Sequence, residues 1–284
     1  MAGTLHSVSS CPCRARFVPS MLEDSYEKGG QSSESTFSFD TLFAALRKPY
    51  GNEFDGKHKN KSACAHTDGA IQVAQYILSE IKTNVRSPTA ELIRNFIDSD
   101  TLKVQYDEWM TLPFYKRLGD PPEANLPAAI PIWYQAVKTG GVWDHKPKIR
   151  DKFSSVAVAR PLPVSGTPSK SYFHKFKRHD YFYDVWSNIH YGYVGLSVGF
   201  SESLLLKGSG WEQQMTPGAV GDDTLDDIIS LKIGFKLFKL HGKYAERLTC
   251  NDILNALEVI PDRLLPNSRS QHWCWNMGNP ERTE

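Results

Sequence analysis

The sequence predicts a mainly α fold (α+β): a single helical domain with a short β hairpin or extended excursion around residues 155–183. Three observations predict it. Apolar residues recur at helical spacing in several separate stretches from Ala70 onward. Between two of these lies "SSVAVARPLPVSGTPSKSYFHKF", with β-branched and aromatic runs around a Pro/Gly/Ser turn, the pattern of a hairpin. Finally, 40% of the 284 residues are apolar and 23% charged, a composition that supports one sizeable core.

Residues 1–65 read as a poorly structured leader. "EKGGQSSESTFS" and "GNEFDGKHKNKSACAHTDG" are polar and without apolar period. Only "FDTLFAALRKPY" has helical spacing, and Pro49 ends it. The main domain is expected over 66–244. There "AIQVAQYILSEIKTNV" places Ile71, Ala74, Ile77, Leu78 and Ile81 on one face. Ser87-Pro88 then reads as an N-cap followed by proline at the first helical position, with Glu91 in the first turn. Leu92, Ile93, Phe96 and Ile97 are the expected core face of that helix. "PIWYQAVKTGG" is a helix stopped by Gly140-Gly141. After the hairpin, helices are expected at about 188–207 and 225–241. Residues 245–284 hold one more helix, 251–259, and an irregular tail.

Bulk properties exclude several classes. A net charge of +1 argues against bulk electrostatic binding to nucleic acid. The five cysteines, Cys11, Cys13, Cys64, Cys250 and Cys274, are odd in number and scattered, so no disulfide framework is expected. Cys11-Pro-Cys13 has no matching second pair for a zinc site. No apolar run reaches the roughly 18 residues of a transmembrane helix, and the N-terminus lacks signal-peptide character. The expectation is a chain that stays in the cytoplasm of its producer or leaves through a dedicated apparatus.

The densest chemistry is "FYDVWSNIHYGYVG", residues 182–195. On one continuous helix Asp184 and His190 would stand about 240° apart and could not act together. A helix capped by Ser187 or Asn188 instead leaves Asp184 in the preceding loop, able to orient the His190 imidazole for proton transfer. Gly192, Gly195 and Gly199 share one helical face at a cost of about 1 kcal/mol each. Either another helix or a substrate comes close there. In "GGVWDHKPKIR", Trp143, Asp144, His145 and Lys146 follow a helix stop. Lys146 is either a surface ion-pair member or a fixed charge for an anionic group. "GDDTLDD" carries Asp222, Asp223, Asp226 and Asp227. The helix dipole accounts for these acids after a Thr224 cap, and a divalent cation at Asp222 and Asp223 is the alternative. Lys232, Lys236, Lys239 and Lys243 line the next helix, as a solvated face or a surface for phosphates or an acidic partner. His174, His179, Asp180, Asp184 and His190 lack the HExxH pair of zinc helices.

"KTGGVWDHKPKI", "YDVWSNIHYGYVGLSVGFSESLLLKGSGWEQ" and "GDDTLDDIISLKIGFKL", with "AQYILSEIKTNVRS" upstream, resemble the bacterial polymorphic toxin type 44 domain over roughly Ile71 to Gly242. The resemblance carries over Glu80, Asn84, Asp144, Lys146, Asp184, Asn188, His190, Glu202, Gln214, Asp222 and Asp223. It implies an antibacterial effector toxin guarded in its producer by a cognate immunity protein. "SSCPCRARFVPSM" resembles the end of the spike-tip PAAR domain of type VI secretion effectors, which implies a spike component as carrier and release into target bacteria. Tyr-Asp, five residues and then "HYGYVG" resembles the colicin M motif, with Tyr191 where that motif has Arg and Tyr181 where it has Asp.

Both toxin resemblances imply phosphoester cleavage, of RNA or of a lipid-linked cell-wall precursor. The catalytic candidates are His190, Asp184, Lys146, Asp144 and Glu80. The substrate-binding candidates are Asn188, Tyr191, Tyr193, Trp143, Gln214 and Asn84. No cofactor is demanded beyond the optional divalent metal. A periplasmic peptidoglycan hydrolase, with Glu80 or Glu202 as its acid, and a non-enzymatic toxin are the alternatives.

Overall fold

The computed structural model describes residues 64–161, 168–215, 225–272 and 274–275. All of them fall in one compact unit, Ser38–Glu284; the other, Met1–Phe37, lies outside the described residues, as does the helix expected at "FDTLFAALRKPY". The described fold is mainly helical with a small antiparallel sheet, as the sequence predicts.

Helix α1 (Ala70–Asn84) buries Ala70, Val73, Ala74, Ile77 and Ile81. Helix α2 (Pro88–Ile97) starts where expected: the Ser87 side chain accepts the Ala90 N–H at 3.2 Å. Its inner face is Ala90, Ile93 and Arg94, whereas Leu92 is 45% exposed, against expectation. Helix α3 (Ser99–Thr111), capped by Asp98, buries none of its residues, so apolar periodicity does not announce it. Helix α4 (Leu126–Val137) precedes the glycine stop, and Gly140 takes a φ of 76° that glycine adopts without strain. A short basic helix, α5 (Lys146–Lys152), follows.

The hairpin region holds two antiparallel pairs. Strands β1 (Ala159–Pro161) and β2 (Pro168–Lys170) pair with each other. Strands β3 (Phe173–Phe176) and β4 (His179–Phe182) form a hairpin through Lys177, which adopts a positive φ. Strand β5 (Arg269–Gln271) adds to β4, so the tail expected to be irregular supplies a sheet edge. Asp226 secures that segment by accepting the N–H groups of Asn267 at 3.1 Å and Ser268 at 2.8 Å.

The helix expected at about 188–207 is two helices. Helix α6 (Tyr183–Ser197) ends before Gly199, and α7 (Glu202–Met215) follows. Gly199 has a φ of 107°, and a Cβ there would lie 3.0 Å from the Asp98 Cα, so a turn against α3's cap breaks the helix. Helices α8 (Leu225–His241) and α9 (Cys250–Glu258) fall close to their expected bounds, α9 behind a reciprocal Thr249–Asp252 capping box. Among the described residues no helix is long and apolar enough to cross a membrane.

Helices α6 and α8 pack at the centre, around the buried Trp186, Ile189, Tyr193, Leu231, Ile233 and Phe235. They run in the same general direction, since Gly192 meets Leu231 and Tyr193 meets Phe238 further along. The approach is backbone to backbone. A Cβ on Gly192 would lie 2.5 Å from the Leu231 carbonyl oxygen, and one on Gly234 would lie 2.4 Å from that of Ile189. Gly195 instead faces the Leu205 side chain. The three glycines thus meet three different partners, and Gly192's is a helix.

Gly192→Ala and Gly234→Ala should each lower stability by about 1–3 kcal/mol, because overpacking outweighs the gain of about 1 kcal/mol in helix propensity. Thermal unfolding followed by circular dichroism measures this. An unchanged or raised midpoint in both variants refutes the tight contact.

Candidate functional site

Asp144 shapes the turn between α4 and α5. Its Oδ2 accepts the Gly140 N–H at 2.9 Å and its Oδ1 the Lys146 N–H at 3.2 Å. The next two side chains part ways: His145 is fully buried, while Lys146 is 43% exposed.

Inward, His145 joins a buried polar ring. Tyr76, Glu80 and Asn84 sit at four-residue steps on α1 and so form one stripe. The Tyr76 hydroxyl and His145 Nδ1 are hydrogen-bonded at 2.9 Å. The Asn84 amide donates to His190 Nε2 at 2.9 Å and to Glu80 Oε2 at 3.4 Å. The two imidazoles meet edge to face with centroids 4.1 Å apart. Burial, reinforced by the Lys148 charge, lowers the His145 pKa to about 3. Burial first, then His145 and Lys148, hold His190 well below the ordinary histidine value. Both rings are therefore neutral at pH 7.

Outward, Lys146 Nζ lies 3.3 Å from Asp184 Oδ1. Asp184 is in the first turn of α6, which starts at Tyr183 directly after β4, with Phe182 as its N-cap. This corrects the expected start at Ser187 or Asn188. No loop remains from which Asp184 could reach His190, and the helical period turns the two apart. The Asp184–His190 dyad does not form: Asp184 pairs with Lys146, and His190 with Asn84. One turn after Asp184, Asn188 donates to Asp227 Oδ1 on α8 at 2.7 Å. One turn after Lys146, the Arg150 guanidinium lies over the rings of Tyr183 and Tyr172 at 5.3 and 5.7 Å.

The charges are coupled. Burial raises the Asp184 pKa; Lys146 and Arg150 pull it down, Asp227 pushes it up, and the net direction is up. Desolvation works against the Lys146 ammonium, but Asp184 and Asp227 outweigh it and raise its pKa.

The other candidates scatter. Trp143 is buried edge-on against Trp133 at 5.6 Å, with its ring 6.5 Å from that of His190. Tyr191 packs on Trp133, and its hydroxyl accepts the indole N–H at 3.4 Å. Tyr193 is fully buried, and its hydroxyl donates to the Gly242 carbonyl at 2.8 Å. Glu202 pairs with Lys239 at 2.6 Å, and Lys243 pairs with Asp98 and Asp100 at 2.8 and 2.9 Å. The lysine stripe is thus partly spent on acids. Asp222, Asp223 and the side chain of Gln214 lie outside the described residues. His174, held to the Phe153 carbonyl, and His179, held to Glu258, serve the sheet instead.

Sequence reasoning gave no site role to Tyr76, His145, Arg150 and Asp227. Four-residue spacing from Glu80, from Lys146 and along α1 was the available signal for Tyr76 and Arg150. Asp227 needs the packing of α6 on α8, which no local pattern encodes.

The class defined by this geometry is a helical domain with a Lys146–Asp184–Asn188–Asp227 cluster, half-exposed only at Lys146, beside two neutral, buried histidines. Residues 132–240 match the family model Ntox44, bacterial toxin 44. This bears out the type 44 resemblance over that segment. The match includes Lys146, Asp184, Asn188, His190 and Asp227 but not α1, the source of Glu80 and Asn84. No curated protein and no solved structure matches the chain.

The buried histidines fix a pH dependence. The unfolded chain takes up protons near pH 6.5 that the folded rings refuse, so the unfolded state binds more protons. Stability therefore falls as pH drops from about 6.5 toward the folded value, about 3 for His145. Imidazole NMR should show the His145 and His190 resonances fixed between pH 8 and 5, with thermal stability declining on the acid side. A titration midpoint near pH 6.5 for either ring contradicts the burial argument.

Proposed function

We propose that this toxin domain is a hydrolase that cleaves a phosphoester, with RNA ahead of a lipid-linked cell-wall precursor. One observation supports it most: burial raises the pKa of the Asp184 carboxyl although two cations one turn apart on α5, Lys146 and Arg150, pull it down. Cations so placed offset the negative charge that grows on phosphoryl oxygens in the transition state. A carboxyl that gains a proton more readily can deliver it to a leaving oxygen. Asn188 holds Asp227, whose charge adds to the upward shift of this carboxyl. Asp144 sets the position of Lys146, and the Glu80–Asn84–His190–His145 layer supports both from below. The half-exposed Tyr172 ring beside Arg150 suits stacking on a base, which favours RNA.

Asp184 and Asp227 also supply an observation for a second reading, a peptidoglycan hydrolase. Two carboxylates, one with its pKa raised, are what glycosidic cleavage uses. Under either reading a cognate immunity protein protects the producer, and a secretion apparatus, with a spike component as carrier, delivers the chain into target cells.

The purified chain should cut a synthetic RNA. Lys146→Met and Asp184→Asn should each lower kcat/KM by about 10²–10³-fold, with unchanged circular dichroism. Full turnover in both variants removes the cluster from the chemistry. Parallel incubation with a lipid-linked precursor and with purified sacculi separates the substrates. Release of sugar fragments from sacculi, with RNA untouched, selects the second reading.

A further inference from the structure

We infer that Cys64, His66, His272 and Cys274 form a structural zinc site that clasps the two ends of the described fold. These four residues lie outside the segment matched to the toxin family and share no side chain with the Lys146 cluster. One ligand atom from each lies within 4.8 Å of every other. His66 Nδ1 is the focus, at 3.2 Å from Cys64 Sγ, 3.0 Å from His272 Nε2 and 3.3 Å from Cys274 Sγ.

A ring nitrogen holds one proton or one lone pair, so it cannot satisfy three partners as hydrogen bonds. Donor atoms converging in this way are arranged about a common centre. A tetrahedral zinc shell spaces its nitrogen and sulfur atoms about 3.3–3.8 Å apart, following bond lengths of about 2.0–2.3 Å. The three contacts of His66 Nδ1 fall within a few tenths of an ångström of that spacing, and every other pair lies within 4.8 Å. Two thiolates with two imidazoles select zinc over the oxygen-seeking cations. Four protein donors leave no open position, which makes the site structural rather than catalytic.

The supporting layer is already in place. His272 Nδ1 is hydrogen-bonded to Asp180 Oδ1 at 2.7 Å, with both residues almost wholly buried. A carboxylate on the far nitrogen fixes the ring so that Nε2 faces the metal, as it does for zinc-bound histidines generally. The Cys-x-His and His-x-Cys pairs are 206 positions apart between the two histidines, so neither alone signals a site.

The test is the metal content of the full chain, purified under reducing conditions and offered zinc, together with cobalt substitution. The expected result is one zinc per chain and a tetrahedral cobalt spectrum with thiolate charge transfer. The Cys64→Ser/Cys274→Ser double variant should lose the metal. Asp180→Asn should weaken zinc binding by about 10–100-fold. Cys11→Ser/Cys13→Ser should keep one zinc. A reduced wild-type chain that binds no zinc overturns the site, and so does loss of zinc in the Cys11/Cys13 variant. If the Cys64/Cys274 variant does not fold, the wild-type cobalt spectrum decides, and absence of thiolate charge transfer overturns the assignment.

Discussion

Helices α6 and α8 touch through Gly192 and Gly234, and the position of the polar cluster follows from that contact. Without side chains between them, the two backbones run together in the same direction. Their N-termini are therefore neighbours. Two positive helix ends side by side repel unless acids sit in their first turns. Asp184 on α6 and Asp226 and Asp227 on α8 meet that requirement. Each acid then finds its own partner: Lys146 for Asp184, Asn188 for Asp227 and the 267–268 backbone for Asp226. The glycine contact is the cause, and the charged cluster is its consequence.

Asp144 divides that cluster from the interior. The turn it holds sends His145 down and Lys146 up, and the two environments produce opposite protonation states. Below, no carboxylate lies against the imidazoles closely enough to offset desolvation, so both stay neutral. Above, Lys146 keeps its charge because Asp184 and Asp227 are close. The Lys146 ammonium stays in reach of solvent, its side chain 43% exposed against 23% for Asp184. His190 is in the opposite position: taking it out of its Asn84 bond would leave a buried polar group unpaired.

Much of the fold was legible in the sequence because its helices bury one face. Helices α1 and α9 show this, with bounds near those that periodicity and capping chemistry indicate. Helix α3 was not legible, since it buries nothing. The start of α6 misled for a physical reason. Ser187 and Asn188 are better cap chemistry than Phe182, whose side chain caps nothing. The β3–β4–β5 sheet delivers β4 straight into the helix, and that tertiary constraint outweighs the local preference. Within the site, residues adjacent in sequence, Asp144 to Lys146 and Asp184 to Asn188, were recognisable. The partners that complete it, Asp227, Arg150 and Tyr76, come from other elements or lack a motif of their own.

The polar cluster and the histidine layer beneath it extend beyond the segment that matches the toxin family. Lys146, Asp184 and Asp227 fall within 132–240, but the stripe that seats His145 and His190 comes from α1. Helix α1 begins four residues after His66, and Asp68, within that short link, forms an ion pair with Lys175 on β3. On the next strand Asp180 holds His272, and four residues later the same chain presents Asp184 to Lys146. Strand β4 and helix α6 thus form one continuous lever between the Cys/His cluster and the charged cluster. The two ends of the described fold meet at the Cys/His cluster, beside the segments that lead into α1 and α6. Loosening them would disturb the buried histidine layer and the Asp184 position together.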